Sequence, residues 1–275
     1  ALCRILRQDG WKVAPFKAQN MSLNSFVTRD GGEIGRAQVV QAEAAGVEPA
    51  VEMNPILLKP EADYCSQVVV KGKPLGRMMA TEYYSSRQQL WSVVTESLDK
   101  LLAQYDVVLI EGAGSPAEVN LKERDIVNMR VALHCRAPVL LVADIDRGGV
   151  FAFLVGTLEL LEPEERALIK AFVINKFRGD LSLLTPGLKW LEERTGIPVA
   201  GVIPYYHDIH VAEEDSVSLE RRRAMKRKSD YVLDVAVIGL PHISNFPDFD
   251  PLEQEEGVRL RYVEPGDELG EPDLI

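Results

Sequence analysis

At 275 residues, 46% of them hydrophobic, the chain can bury a full core and reads as one large globular domain plus part of a second. A formal charge of −11 excludes a general nucleic-acid binder, because neutralising phosphates takes a basic face. No apolar run approaches the roughly 18 residues of a membrane span, no signal peptide is visible, and Cys3, Cys65 and Cys135 form neither a disulfide framework nor a zinc-type cluster, so the expected setting is a reducing cytoplasm.

Ala1 to Asp9 reads as the last turns of an amphipathic helix closed by Gly10, with no N-cap ahead of it. Pro272 to Ile275 stops where an apolar strand begins, so the expectation is a chain cut at both ends. Trp11 to Phe16 is a short strand that Pro15 confines to an edge or end position. The polar loop after it, with Lys17, Gln19, Asn20, Ser22, Asn24 and Ser25, suits capping of the next helix and ligand contact about equally. Asp30 to Glu33 makes a turn into a helix over Ile34 to Ala45, ended by Gly46, and Glu33 near its start is favourable for dipole reasons alone. Residues 49–76 carry scattered prolines and one small strand, Gln67 to Lys71, an excursion on the rim of the sheet. Leu90, Val93, Val94, Leu98, Leu101 and Leu102 recur at helical spacing and predict a core-facing helix over 85–104.

Val107-Val108-Leu109-Ile110 is an unalternating aliphatic run, the pattern of a strand buried on both faces, and it ends on Glu111-Gly112-Ala113-Gly114. Ligands bind open α/β sheets at the carboxyl edge, where glycines allow a phosphate or metal close to the backbone, so Glu111 is a candidate ligand; an ordinary solvated turn is the plainer alternative. Asp125 opens a further helix, as an N-terminal cap on the plainest view. Pro138 to Ala143 is the next buried strand. Its loop, Asp144-Ile145-Asp146-Arg147-Gly148-Gly149, is a candidate anion or metal site, with an internal Asp–Arg pair as the alternative. Ala171 to Ile174 repeats the pattern and ends on Asn175 and Lys176; Pro198 to Ile203 follows a helix over 188–195. Strands alternating with helices at this spacing predict an α/β fold with a doubly wound, mostly parallel sheet. His207 and His210 flank Asp208 without a third ligand nearby and read as surface. The basic run Arg221 to Lys228, beside Glu213-Glu214-Asp215, reads as a solvated linker. The expected boundaries are a main domain over 1–216, a linker over 217–230 and the start of a second α/β domain over 231–275, opened by a strand over 232–240.

The stretches Phe16 to Ser25, Glu33 to Gln38, Glu111 to Glu118, Ala143 to Phe151, Asn175 to Asp180 and Glu213 to Ser216 resemble the cobyric acid synthase family along essentially the whole chain. The resemblance implies an ATP-dependent synthetase domain of the P-loop NTPase and dethiobiotin synthetase type, followed by a class I glutamine amidotransferase-like domain. It implies amidation of peripheral carboxylates of a corrinoid substrate, adenosylcobyrinic acid a,c-diamide, with glutamine-derived ammonia, ATP and Mg2+, and it leaves room for a homodimer. On the same footing Glu33 and Glu111 are similar to magnesium ligands. Lys17 matches a lysine set against transferring phosphate or substrate, Asp125, Asp146 and Arg147 match substrate-side catalytic groups, and Asn175 with Lys176 matches an adenine-side contact. Gln19, Asn20, Ser22, Asn24 and Asp144 match substrate-binding positions. Two departures stand out: the 275 residues contain no G-x-x-x-x-G-K-[S/T] loop, and no cysteine lies in the amidotransferase-like segment. The expectation is therefore weak ATP binding and no glutamine hydrolysis by these residues alone. The rival readings are cobyrinic acid a,c-diamide synthase, against which the loop Gln19 to Ser25 argues, and a partition-type switch ATPase, which would not need the start of an amidotransferase domain.

Overall fold

The computed structural model describes residues 1–62, 64–206, 230–240, 243 and 245–275. Within it the chain forms two compact units, residues 1–85, 97–109 and 211–275 making the first and residues 86–96 and 110–210 the second.

In the first unit, helices α1 (Leu2–Gln8) and α2 (Arg36–Ala45) lie against each other and against strand β1 (Val13–Phe16), whose residues are all buried. The aliphatic run predicted to be the most buried strand is β8 (Val107–Ile110), and there the expectation fails. All of its residues are half-buried, and among the described residues β1 is its one sheet neighbour. Unalternating aliphatics specify an extended segment but not how many strands flank it. Pro15 is tolerated in β1 because, among the described residues, β8 is the one strand that pairs with it.

The excursion over 49–76 is a larger structure than the single strand expected. Strands β2 (Gln19–Met21), β5 (Ile56–Ala62), β6 (Cys65–Val70) and β7 (Lys73–Met79) make a four-stranded sheet in the order β2-β5-β6-β7, parallel at β2/β5 and antiparallel elsewhere. The prolines that argued against strands sit where a missing N–H costs little: Pro74 is on the edge strand, and Pro60 lies beyond Ile56 to Leu58, the part of β5 paired with β2. Beside this sheet β3 (Ser25–Val27) and β4 (Glu33–Gly35) form a hairpin, so the predicted polar loop is partly strand and α2 begins two residues later than predicted, at Arg36. Helix α3 (Ala80–Leu102) starts earlier than expected, where Glu82 accepts a hydrogen bond from Met79 N at 3.0 Å, and it buries Leu90, Val94, Leu98 and Leu101. Residues 233–275 add parallel strands β12 (Leu233–Ile238) and β13 (Val258–Val263), with Val235 bridging to Leu274. Asp234 is buried between Arg259 and Arg261 and accepts hydrogen bonds from both.

The second unit is built on three parallel strands, β9 (Val139–Asp144), β10 (Ile169–Phe177) and β11 (Val199–Pro204), in the order β11-β10-β9. Helices α5 (Val150–Leu160) and α7 (Leu181–Thr195) supply Val150, Leu154, Leu158, Leu184 and Leu191 to a core with Phe172 and Ile174 of β10. The single turn α6 (Pro163–Arg166) comes between α5 and β10. β9 was expected to be buried on both faces, yet Leu140 and Val142 are 45% and 54% exposed while Leu141 and Ala143 pack on the core. Helix α4 (Met129–Cys135) begins later than predicted. α7 begins earlier than the predicted residue 188, capped by Asp180, whose carboxylate accepts from Ser182 N; Pro186 and Gly187 lie inside it, and a Cβ at Gly187 would meet the Phe151 ring at 2.6 Å. His207, Asp208, His210, the acidic Glu213 to Asp215 and the basic Arg221 to Lys228 lie outside the described residues.

Candidate functional site

In the second unit the parallel register sets Asp144 beside Asn175 at the carboxyl ends of β9 and β10. Asp144 organises this edge. Its Oδ1 accepts from Asn175 Nδ2 at 3.1 Å and its Oδ2 from Lys176 Nζ at 2.6 Å. Lys176 adopts φ +60°, a left-handed conformation that costs an ordinary residue about 1–2 kcal/mol and that surrounding contacts must hold in place. The hydrogen bond that Lys176 donates to Asp144 holds its ammonium above the usual lysine range against partial desolvation; the charges of Asp144 and Asp146 add to the rise and Arg147 opposes it. Asp146 and Arg147 are exposed on the connecting loop. Gly148 and Gly149 close that loop at φ +77° and +72°, a consecutive left-handed pair that no side-chain-bearing residue adopts cheaply, and Gly149 caps α5. Arg178 lies 3.6 Å over the Tyr205 ring at the end of β11. The structure thus gathers Asp144, Asp146, Arg147, Asn175 and Lys176 on one strand edge.

Glu111 is exposed at the end of β8, and the loop after it is held by a residue to which the sequence assigned no role. Asn128 accepts from Ala113 N at 2.9 Å and donates to the carbonyls of Ala113 at 2.8 Å and Ser115 at 3.3 Å. A Cβ on Gly112 would come within 2.3 Å of Asn128 Oδ1, so the glycine is needed for this close approach. Asp125 in turn accepts from the backbone N–H groups of Val127, Asn128 and Arg130. Asp125 is not the N-cap of α4, a place taken by Asn128; its carboxylate closes the turn ahead of the helix, reaches one N–H of the first helical turn, and bonds the backbone of Asn128, whose side chain holds the Glu111 loop. Only the pairing of Asp125 with an amide three residues on, just ahead of a helix, hinted at Asn128 in the sequence.

The other predicted residues lie in the first unit, all but the half-buried Glu33 sealed in it. Lys17, Gln19, Asn20, Ser22 and Asn24 are all buried. Gln19 accepts from the Tyr83 hydroxyl, Asn20 donates to Gln38 Oε1 at 3.2 Å, and Ser22 and Asn24 close a tight turn on each other. Asn54, again unremarked in the sequence, joins the group by donating to the carbonyls of Lys17 and Ile56 and accepting from Gly35 N. Glu33 is ion-paired to Lys59 at 2.6 Å. Burial alone would raise the Glu33 pKa, but hydrogen bonds from Lys59 and Ser25 and the Lys59 charge outweigh it and hold the carboxyl below the usual glutamate range.

Among the described residues no three or more His, Cys, Asp or Glu side chains group as a metal cage, and no helix is long and apolar enough to cross a membrane. Magnesium in phosphate chemistry uses one or two protein carboxylates plus the phosphates themselves, so the exposed Glu111 fits such a role, while Glu33 would have to share its charge with Lys59.

Residues 1–219 match the family model of the CobQ/CobB/MinD/ParA nucleotide binding domain. The chain belongs to that family. Residues 234–275 match the CobB/CobQ-like glutamine amidotransferase domain. Along its full length the chain is 61% identical to the cobyric acid synthase of Desulfitobacterium hafniense (strain DSM 10664 / DCB-2), 61% to that of Sorangium cellulosum and 59% to that of Nostoc punctiforme, covering 54%, 53% and 56% of those proteins. It spans about half the length of the curated relatives it matches. The resemblance and the α/β fold with parallel strands drawn from the sequence both hold.

Proposed function

We propose that the chain is the synthetase part, with the beginning of the amidotransferase part, of a cytoplasmic enzyme that amidates peripheral carboxylates of adenosylcobyrinic acid a,c-diamide. The observation that carries this reading is identity near 60% to cobyric acid synthases over every residue of the chain. A carboxylate is a poor acyl donor, so ATP phosphorylates it, and ammonia released from glutamine then displaces phosphate from the acyl phosphate. Mg2+ would neutralise phosphate charge, and the exposed Glu111 is the carboxylate that would hold it; Glu33, paired to Lys59, is the weaker candidate for that role.

The chain's own residues divide the remaining work. Asn175 and Lys176, fixed by Asp144, face the nucleotide, the ammonium of Lys176 supplying a positive charge that persists across the physiological range. Asp146 and Arg147, exposed on the loop before α5, meet the corrinoid's polar periphery. Asp125 acts through Asn128 on the Glu111 loop rather than by touching substrate. The Lys17 carbonyl and the side chains of Gln19, Asn20 and Ser22 are held by internal hydrogen bonds and form a preorganised wall.

Titration of adenosylcobyrinic acid a,c-diamide into the 275-residue chain, followed by the corrinoid's absorption, tests the reading. Saturable perturbation supports it. Absence of corrinoid binding, with nucleotide-dependent dimerisation instead, would favour a partition-type switch ATPase.

A further inference from the structure

The amidotransferase-like segment touches the polar segment after β1 through a reciprocal pair of hydrogen bonds. Asn245 N donates to Asn24 Oδ1 at 2.7 Å, and Ser25 N donates to Asn245 Oδ1 at 2.8 Å. Each asparagine side chain thus accepts a backbone N–H from the other segment, and Asn24 is only 1% exposed. Asn245 sits at φ +55°, a left-handed conformation that asparagine tolerates better than most residues. It is followed by Phe246, 1% exposed, whose carbonyl accepts from the Tyr262 hydroxyl of β13.

The other side of the contact leads back into the buried polar turn. Asn24 N donates to Ser22 Oγ at 3.1 Å, and Arg36 N, at the start of α2, donates to Asn24 O at 3.1 Å. Ser25 opens β3, and its hydroxyl accepts from Lys59 Nζ at 3.4 Å, the same ammonium that holds Glu33. One pair of asparagines therefore links β13 of the amidotransferase-like segment to the 22–25 turn and, one side chain further, to the Lys59–Glu33 ion pair.

We infer that Asn24 and Asn245 are positioning residues, a latch through which the amidotransferase-like segment holds the 22–25 turn in its corrinoid-binding shape. Breaking the latch frees the Ser25 amide and loosens the wall, so the synthetase part binds its corrinoid well only with the second segment docked. This rests on the proposed corrinoid function, and the test separates the two.

The test compares Asn245→Gly and Asn245→Asp in the 275-residue chain. Glycine keeps the left-handed backbone but removes the acceptor; aspartate keeps an acceptor oxygen for Ser25 N. Amide hydrogen exchange is read at Ser25 and Asn245, and adenosylcobyrinic acid a,c-diamide is titrated into each. The latch predicts faster exchange at Ser25 and about tenfold weaker corrinoid binding in Asn245→Gly, both restored to within about twofold in Asn245→Asp. Unchanged Ser25 exchange in Asn245→Gly overturns the inference, as does faster exchange with undiminished affinity, which would make the contact structural only. Asn24→Ala breaks the pair from the other side and must reproduce the glycine result should Asn245→Gly fail to fold. If the unaltered chain takes up no corrinoid, the functional reading fails instead, and the exchange at Ser25 still decides whether the latch exists.

Discussion

Two polar regions follow strands in this molecule and are used in opposite ways. Lys17, Gln19, Asn20, Ser22 and Asn24, after β1, are buried, and the amides and hydroxyls among them are spent on one another, on Tyr83 and Gln38 and on the backbone. Asp144 to Gly149 at the end of β9, with Asn175 and Lys176 near the end of β10, is half-buried or exposed, and one carboxylate organises a lysine and an amide while Asp146 and Arg147 stay open to solvent. The sealed region spends its polarity on shape, since a buried polar group without a partner costs about 1–3 kcal/mol. The open one keeps charge available for a ligand, at the expense of a strained Lys176.

The sharpest way to break that contrast is to remove one buried hub. Asn54→Ala leaves the carbonyls of Lys17 and Ile56 and the Gly35 N–H without their partner, and urea unfolding should show a loss of about 3 kcal/mol. Asp144→Ala in the open region should cost under about 1 kcal/mol in the same assay, because the ion pair it breaks is partly solvated. Equal losses would erase the distinction. Gly35→Ala probes the seal sterically: the added Cβ would meet Asn20 Nδ2 at 2.7 Å, Gln38 Oε1 at 2.9 Å and Asn54 Oδ1 at 3.1 Å, and a loss of about 2 kcal/mol is expected from overpacking.

The smallest effect is read by pH. Glu33 has a folded-state pKa below its unfolded value, so its contribution is present above the ordinary glutamate range, near pH 4.3, and is lost as pH falls through the lower folded value. Lys59→Met removes the partner that lowers it. Stability at pH 7 should drop by about 1 kcal/mol, and the decline in stability on acidification below about pH 4.5 should become shallower. An unaltered acid limb would show that the pair contributes nothing.

How much of this was legible in the sequence depended on whether a signal was local. Parallel strands carrying Asp144 and Asn175 toward their carboxyl ends could be read because aliphatic runs and the polar residues after them are adjacent in the chain, although β10 runs on past Asn175 and Lys176 to Phe177. The burial of β8 and of one face of β9 could not, since an aliphatic run looks alike with one neighbour or two. β5 and β7 were hidden by Pro60 and Pro74, which are compatible with a sheet only because of where its partner strand ends and where its edge lies. Gln19, Asn20, Ser22 and Asn24 were visible as a polar run, but their partners Gln38, Asn54, Tyr83 and Asn245 are far away in sequence, so the choice between ligand contact and internal bonding stayed open there. Asn128 and Asn54 were missed for that reason too: each acts by reaching the backbone of a distant turn.

The central claim is that the open strand edge meets the ligand without holding the fold. Titrating adenosylcobyrinic acid a,c-diamide into Asp146→Asn and the unaltered chain, with thermal unfolding of the same samples, tests it most directly. Asp146 is exposed, so the melting temperature should stay put while corrinoid affinity falls by about tenfold or more. Undiminished affinity, or an affinity loss that merely tracks a lower melting temperature, would contradict the claim.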